Sequence, residues 1–398
     1  MNRRNIIIIS VIVGLLIIGG VVFFLLSRPS GTTTGETPLT SLFGRLPLIG
    51  GRVGPTPPSG NEATTQDETL PPSTTETRRR IVQLTDEPVI GPAFDVKTQK
   101  IFYYKKRDGH LVSNTPSNGN EETVSNLTIL NILEVFWSPD KKKTVIVYQD
   151  SADIKKFISE ATSTPKVAFL PKESSSLVWS LDGKTIWWLQ KQDQTYALIS
   201  SDTNGKNQSR KNFTTPIPEL KLSIISLDTI MLVPKTVSYF ETPLLLFSLK
   251  TSALSPILTA FGLTALRDPN PKTQNILYTN TSRGGALDNI HLLDLKTGKD
   301  TFWPLKTLAS KCAFSPDSKL VFCAVPKNPL LRDLPEAWFE GKTTFSDSIY
   351  KLDLTTSKAE EIFNEGDYDA TSLVISDDYK NLFFIDKKTG FLYGLSTE

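Results

Sequence analysis

An all-β fold is predicted by three observations on this sequence: a short aromatic-Ser-x-Asp device, an apolar run after each copy, and a regular spacing between copies. The device stands at Trp137-Ser138-Pro139-Asp140, Trp179-Ser180-Leu181-Asp182 and Phe314-Ser315-Pro316-Asp317, and reads as a β-hairpin with a tight turn. Degenerate copies lie at Phe94-Asp95, Ile225-Ser226-Leu227-Asp228, Arg267-Asp268-Pro269-Asn270 and Ile375-Ser376-Asp377-Asp378. From Phe94 through Trp137, Trp179, Ile225, Arg267 and Phe314 to Ile375 the steps are 43, 42, 46, 42, 47 and 61 residues. That period is close to that of four-stranded blades arranged around an axis. The expectation is one closed array at residues 79–398, a seven-bladed β-propeller, in place of two or three separate domains.

Ahead of the array, residues 6–26 contain no charged side chain. At ~1.5 Å rise per residue such a run spans the ~30 Å hydrocarbon layer, so one transmembrane α-helix is expected. A secretory signal would have a shorter apolar core and a small-residue cleavage site, whereas this run ends Phe23-Phe24-Leu25-Leu26-Ser27-Arg28-Pro29, so an uncleaved signal anchor is expected. Arg3 and Arg4 precede the run and only Arg28 follows closely, which puts residues 1–5 in the cytoplasm and the array outside, on a cytoplasmic (inner) membrane. Residues 27–78 are dominated by Thr, Ser, Pro and Gly and read as a disordered linker. A flexible coil of roughly fifty residues has an average reach of about 40 Å. Its one apolar island, Leu42-Phe43-Gly44-Arg45-Leu46-Pro47-Leu48-Ile49, is either a docking peptide or an interfacial segment.

Each copy has an order of inner strand, tight turn, second strand, loop and third strand. Pro fixes φ at a turn position, and the Asp side chain accepts from backbone amides two residues on. Third strands are expected at residues 196–200, 243–249, 290–295, 349–354 and 391–395, and outer strands at 300–303 and 359–363. The last copy stops after its third strand. Its missing outer strand is expected from residues 79–85, which would close the ring and leave no bare sheet edge.

Trp137 to Lys141, Trp179 to Lys184 and Phe314 to Lys319 resemble the aromatic-Ser-Pro-Asp-Gly-Lys hairpin of the WD40-like, TolB-type propeller repeats (PD40-like repeats). The resemblance covers residue 79 to the end and implies the propeller fold with a broad range of roles, lectin-like, scaffold and peptidase-associated among them. The Gly-His and Trp-Asp pairs of true WD40 repeats are missing, as is the extra N-terminal domain that accompanies TolB.

Composition narrows the function. Lys plus Arg 44 against Asp plus Glu 42 gives a net charge of +2, so no nucleic-acid partner is expected. With two His and two Cys the sequence offers neither a zinc ribbon nor a His-rich metal centre, and no cofactor or metal is expected. His110 and His291 stand apart with no motif around either. There is no Gly-x-Ser-x-Gly elbow and no P-loop, so the expectation is a non-catalytic binding or scaffold module with no catalytic residue. The alternative is a surface glycan-active hydrolase or lyase using carboxylates at the channel mouth, with Glu134 and Asp369 near the starts of inner strands.

The long step of 61 comes from an insertion at residues 326–347, the best place for function in an otherwise regular array. Asp333 is expected to cap a short helix from Leu334, with Pro335 in its first turn, Glu336 in a capping box and Gly341 at its end. Leu331, Arg332, Trp338 and Phe339 then form a contact surface for an envelope protein, peptide or glycan, completed by Tyr239 and Phe240 on the same rim. The other reading of Trp338 is a plug over the channel mouth or a neighbouring blade. Cys312 and Cys323 face each other if Ser315 pairs with Leu320, giving a local disulfide in an oxidising envelope or else two buried thiols.

Overall fold

The computed structural model describes residues 80–398, apart from 117–118, 271 and 330–331. The expected transmembrane run, the linker and Leu331 lie outside the described residues. Among those described, no helix is long and apolar enough to cross a membrane.

The described chain is nearly all strand. β1 is Ile81–Gln83. A first sheet holds β2 to β5 (Val89–Asp95, Lys100–Lys105, Leu111–Asn114, Glu121–Ser125), and a second holds β6 to β9 (Ile132–Trp137, Lys143–Asp150, Asp153–Glu160, Val167–Phe169). A third holds β10 to β13 (Ser174–Trp179, Thr185–Gln192, Thr195–Asp202, Ser209–Thr215). A seven-stranded sheet follows with β14 to β20 (Leu220–Ser226, Thr229–Pro234, Glu241–Ser248, Leu254–Arg267, Asn275–Thr281, Leu287–Asp294, Asp300–Lys306). Next come β21 to β24 (Cys312–Phe314, Leu320–Pro326, Asp347–Asp353, Lys358–Phe363), then β25 to β27 (Ala370–Ile375, Asn381–Asp386, Leu392–Ser396). One short α-helix, α1, covers Glu336–Phe339 in the insertion.

Every sheet is antiparallel, and four of the hairpins are closed by a Ser-x-Asp turn. The Ser138 hydroxyl donates to Asp140 at 2.7 Å, and the Lys142 and Lys143 amides donate to the Asp140 carboxylate and the Ser138 hydroxyl at 3.2 and 2.9 Å. The same three bonds recur at Ser180/Asp182, Ser315/Asp317 and Ser376/Asp378. At the second of these the Ser180 hydroxyl, and then the Lys184 amide, hold the Asp182 carboxyl below the usual range. The aromatic residue before the turn ties one sheet to the next: Trp179 Nε1 donates to Phe136 O at 2.9 Å and Trp137 Nε1 to Gly91 O at 2.8 Å.

The core lies between sheets. Tyr104 and Leu111 of the first sheet pack with Ile132 and Ile146 of the second; Val145 and Ile158 of the second pack with Trp179 and Trp188 of the third. The series continues around the array until Phe94 and Tyr103 of the first sheet meet Phe383 and Leu392 of the last. The sheets therefore close in a ring. Backbone pairing closes it again, since β1 lies antiparallel to β27 with Ile81 opposite Leu395 and Gln83 opposite Tyr393.

In the seven-stranded sheet, β17 runs without interruption from β16 to β18, pairing with the first through its N-terminal half and with the second through its C-terminal half. The hand-over falls at Gly262, whose φ is +55° and where a Cβ would stand 2.3 Å from Thr281 Oγ1, so only glycine lets the strand pass. Cys312 and Cys323 are bonded, with Cα atoms 4.1 Å apart. Ser315 N donates to Leu320 O, so counting back along the hairpin places Cys312 and Cys323 at a non-hydrogen-bonded pair, where facing side chains are closest.

Candidate functional site

Loops entering the inner strands share one face of the ring with the loops between second and third strands, and the insertion lies on that face. Three sets of contacts hold it down. Trp338 is buried, its Nε1 shared between both Asp369 oxygens at 3.0 Å and its ring stacked on Phe345. The Glu336 carboxylate accepts from the Ser238 amide at 2.9 and 3.0 Å and from the Ser238 hydroxyl at 2.5 Å. The Asp333 amide donates to Gly284 O at 2.8 Å, and this approach needs Gly285: its φ is +97°, and a Cβ there would lie 2.2 Å from the Asp333 nitrogen.

The expected cap is therefore corrected. α1 starts after Pro335 with no side-chain cap, since Glu336 is taken by Ser238 and the Asp333 carboxylate accepts from the Tyr239 hydroxyl at 3.1 Å. Gly341 does end the helix, at φ +73°. Trp338 is corrected as a contact residue: it plugs the fold. Arg332, Phe339, Tyr239 and Phe240 are exposed, Phe240 most of the three aromatics at 74%.

Beneath the plug is a fully buried ion cluster. Lys311 Nζ sits 2.8 Å from Asp347 and 2.5 Å from Asp369, under the rings of Trp338 and Phe345 at 4.8 and 5.2 Å. Asp369 also accepts from the Phe345 amide, and Asp347 from the Ala370 amide at 2.7 Å. Burial, opposed by Lys311, pushes the Asp347 carboxyl up to about 6, and its Oδ1 has no partner. Asp369 is thus part of the cluster that anchors the insertion and does not reach the channel mouth as the sequence led us to expect.

Beside the plug a cavity of about 730 Å³ opens on the same face. Its wall is built from β6, β10, the start of β14, the end of β15 and the second half of β17, and Phe339 and Glu340 of the insertion cover part of it. Inner strands alternate, so every second residue faces the axis; this is why Glu134 and Lys221 project from otherwise apolar strands. Burial raises the Glu134 carboxyl, with the charge of Lys156 opposing. The apolar surroundings lower the Lys221 amine, although the side chain is exposed within the cavity, and its Nζ donates to Ala265 O at 3.5 Å. Phe136, Leu177, Leu222 and Leu263 supply apolar wall. At the rim Glu219 pairs with Lys235 at 3.1 Å, and Glu340 with Lys342 at 2.6 Å.

Sequence reading found Glu134 and Phe339 but missed Lys221, Lys311 and Asp347. Lys221 carries a legible signal, a lone charge within Leu220-Lys221-Leu222 of an inner strand. His110 and His291 are remote from the cavity: His110 contacts Thr128 and Asp108, and His291 stacks on Tyr278 beside Asp300.

No family model matches the chain, and no curated relative matches it either. Solved structures do. Oligogalacturonate lyase from Vibrio parahaemolyticus superposes with a TM-score of 0.57 at 10% identity, over 79% of this chain and 93% of its own. An oligogalacturonate lyase in complex with manganese gives 0.57 at 12% identity, over 79% and 92%. A prolyl endopeptidase gives 0.53 at 12% identity over 79% of this chain and only 49% of its own. At such identity the likeness shows the fold alone, which is the β-propeller. The narrower TolB-type repeat family is not established.

One expectation falls here. A non-catalytic chain was expected from the lack of a reactive motif. The two lyase structures are covered over nearly their whole length by this fold, so the missing motifs do not exclude an enzyme.

Proposed function

We propose that this chain is a membrane-anchored, extracytoplasmic propeller that takes an envelope ligand, a protein segment, peptide or cell-wall glycan, into the cavity beside α1. The observation that carries the reading is the cavity itself. Its volume falls in the range of ligand sites, its walls are mainly apolar, and a few polar groups converge on it. The exposed aromatics Phe339, Tyr239 and Phe240 stand on the insertion and on the loop that holds it, as a recognition rim requires. Seven blades are the natural count, with β17 serving as outer strand of the fourth and inner strand of the fifth. The apolar run at 6–26 supports the anchor, and the Cys312–Cys323 bond fits an oxidising compartment.

Deleting residues 326–347 is the wrong test, because that segment carries Trp338 and Asp347 of the buried cluster. Point variants at the cavity are the right one. Muropeptides, cell-wall glycans and peptides titrated into the full chain should include one that binds, with affinity about tenfold weaker in Phe339→Ala. Failure of the whole panel, or unchanged affinity in that variant, would remove the assignment.

A second reading, turnover of a glycan at the cavity, is favoured by Glu134, whose raised carboxyl faces the space where a substrate would lie. The same panel decides it: product formation lost in Glu134→Gln supports catalysis, and binding without product leaves recognition alone.

A further inference from the structure

Away from the cavity, the outer half of the seven-stranded sheet carries an aromatic column. Tyr278, His291 and Phe302 stand opposite one another on β18, β19 and β20. Their rings follow in that order, Tyr278 stacked on His291 with centroids 4.8 Å apart at 22°, and His291 against Phe302 at 5.9 Å and 34°. β20 is the last strand of its sheet, so no further strand continues the column past Phe302, which is 61% exposed. A single exposed phenylalanine needs no explanation. The end of a stack, with its outer face in solvent, is a seat for one more flat group.

Charge selects that group. Asp300 precedes Phe302 by two residues and so lies on the same face of the strand. Its carboxylate accepts from the Tyr278 hydroxyl at 2.6 Å and stands 3.1 Å from His291 Nδ1, while its side chain keeps 38% of its surface in solvent. Among the described residues no lysine or arginine comes within ion-pair distance of it. Asp288 adds a second negative charge within reach of Tyr278. An open aromatic face beside such a carboxylate attracts a cation twice, through the ring quadrupole and through the charge. We propose that this column binds an arginine side chain of a partner polypeptide, its guanidinium stacked on Phe302 and paired with Asp300. Arginine fits better than lysine because the guanidinium is planar, continues the stack, and presents a fork of donors to the carboxylate positions still open. The site lies at the outer edge of the sheet and shares no residue with the cavity, so its failure leaves the cavity reading untouched.

The test is ligand-observed NMR titration of the full chain in a nonionic detergent at about pH 8, where an ordinary imidazole is neutral. The probes are acetyl-Gly-Arg-Gly-amide and the same tripeptide with citrulline, the neutral planar isostere, in place of arginine. The arginine peptide should bind, and the citrulline peptide about fivefold more weakly or not at all. Phe302→Ala and Asp300→Asn should each weaken the arginine peptide about two- to fivefold, the usual worth of an exposed cation–π contact or a surface ion pair. Phe302→Trp offers a stronger ring and should bind at least as tightly as the parent, which separates the ring contact from damage to the fold. Equal binding of the two peptides, unchanged affinity in either weakening variant, or no binding at all overturns the assignment, and so does a Phe302→Trp variant as weak as Phe302→Ala.

Discussion

Replacing Lys311 by Met should destabilise the ring by about 3–5 kcal/mol near neutral pH, the cost of leaving a buried carboxylate without its cation. Lys311 is wholly inaccessible and holds Asp347 and Asp369 together at the point where β21, β23 and β25 begin. Met matches the aliphatic stem, so packing changes little and the loss isolates charge. The pH dependence gives a second readout. The Asp347 carboxyl, raised to about 6 in the fold against an ordinary unfolded value, binds more protons folded than unfolded. Its contribution thus favours the fold at acidic pH and is lost as pH rises through about 6. Removing the cation that opposes this shift should raise the carboxyl further and widen the window. Chemical denaturation at about pH 5 and about pH 7.5 should show a smaller penalty for the variant at the lower pH. A penalty under about 1 kcal/mol, or one equal at both pH values, would show that the cluster does not hold the insertion.

The second large effect lies at the seam. A chain beginning at Asp86 lacks β1, and β27 then presents bare donors and acceptors along one side. Besides the β1–β27 ladder, five seam hydrogen bonds disappear: Leu84 N to Leu392 O, Ser396 N to Arg80 O, Leu392 N to the Thr85 hydroxyl, the Arg80 guanidinium to Ile362 O, and the Tyr393 hydroxyl to Gln83 Oε1. Ile81 and Leu84 also leave the clusters on either side of the last sheet. At ~1 kcal/mol for each hydrogen bond plus the lost apolar contact, the expected loss is roughly 6–8 kcal/mol. That corresponds to a melting temperature lower by about 10 °C. Self-association should follow through the opened edge, and a peptide of residues 79–87 added in trans should restore part of the stability. Melting unchanged from that of a chain beginning at Thr75, with no association, would show that packing alone closes the ring.

Much of the fold was legible because its determinants are local. Ser138, Asp140 and Lys143 meet within five residues of one another, so the turn is written in consecutive letters and recurs where the letters recur. The cysteine pairing was equally near the surface of the sequence, since a strand alternates with period two and a hairpin register places both partners. The strand completing the last sheet was inferred from the fact that a sheet edge needs a partner, and only one stretch was left over to supply it.

The insertion was located correctly and its interior was misread. Asp333, Pro335 and Glu336 spell a capping box, but Ser238 offers Glu336 an amide and a hydroxyl together, a better site than the amide of its own helix. Trp338 looks like a recognition residue in sequence and becomes a plug because Asp369 accepts its indole proton.

By itself the sequence determined the repeated hairpin, its period, the place of the irregular loop and the strand that ends the array. Each follows from turn chemistry or strand alternation over a handful of residues. Only the tertiary structure decided that Lys311 meets Asp347 and Asp369, that β17 serves two neighbouring sheet units, and that Lys221 and Glu134 share one cavity. Those partners come from different hairpins, dozens of residues apart, and the ring brings together whatever its inner strands carry at the axis.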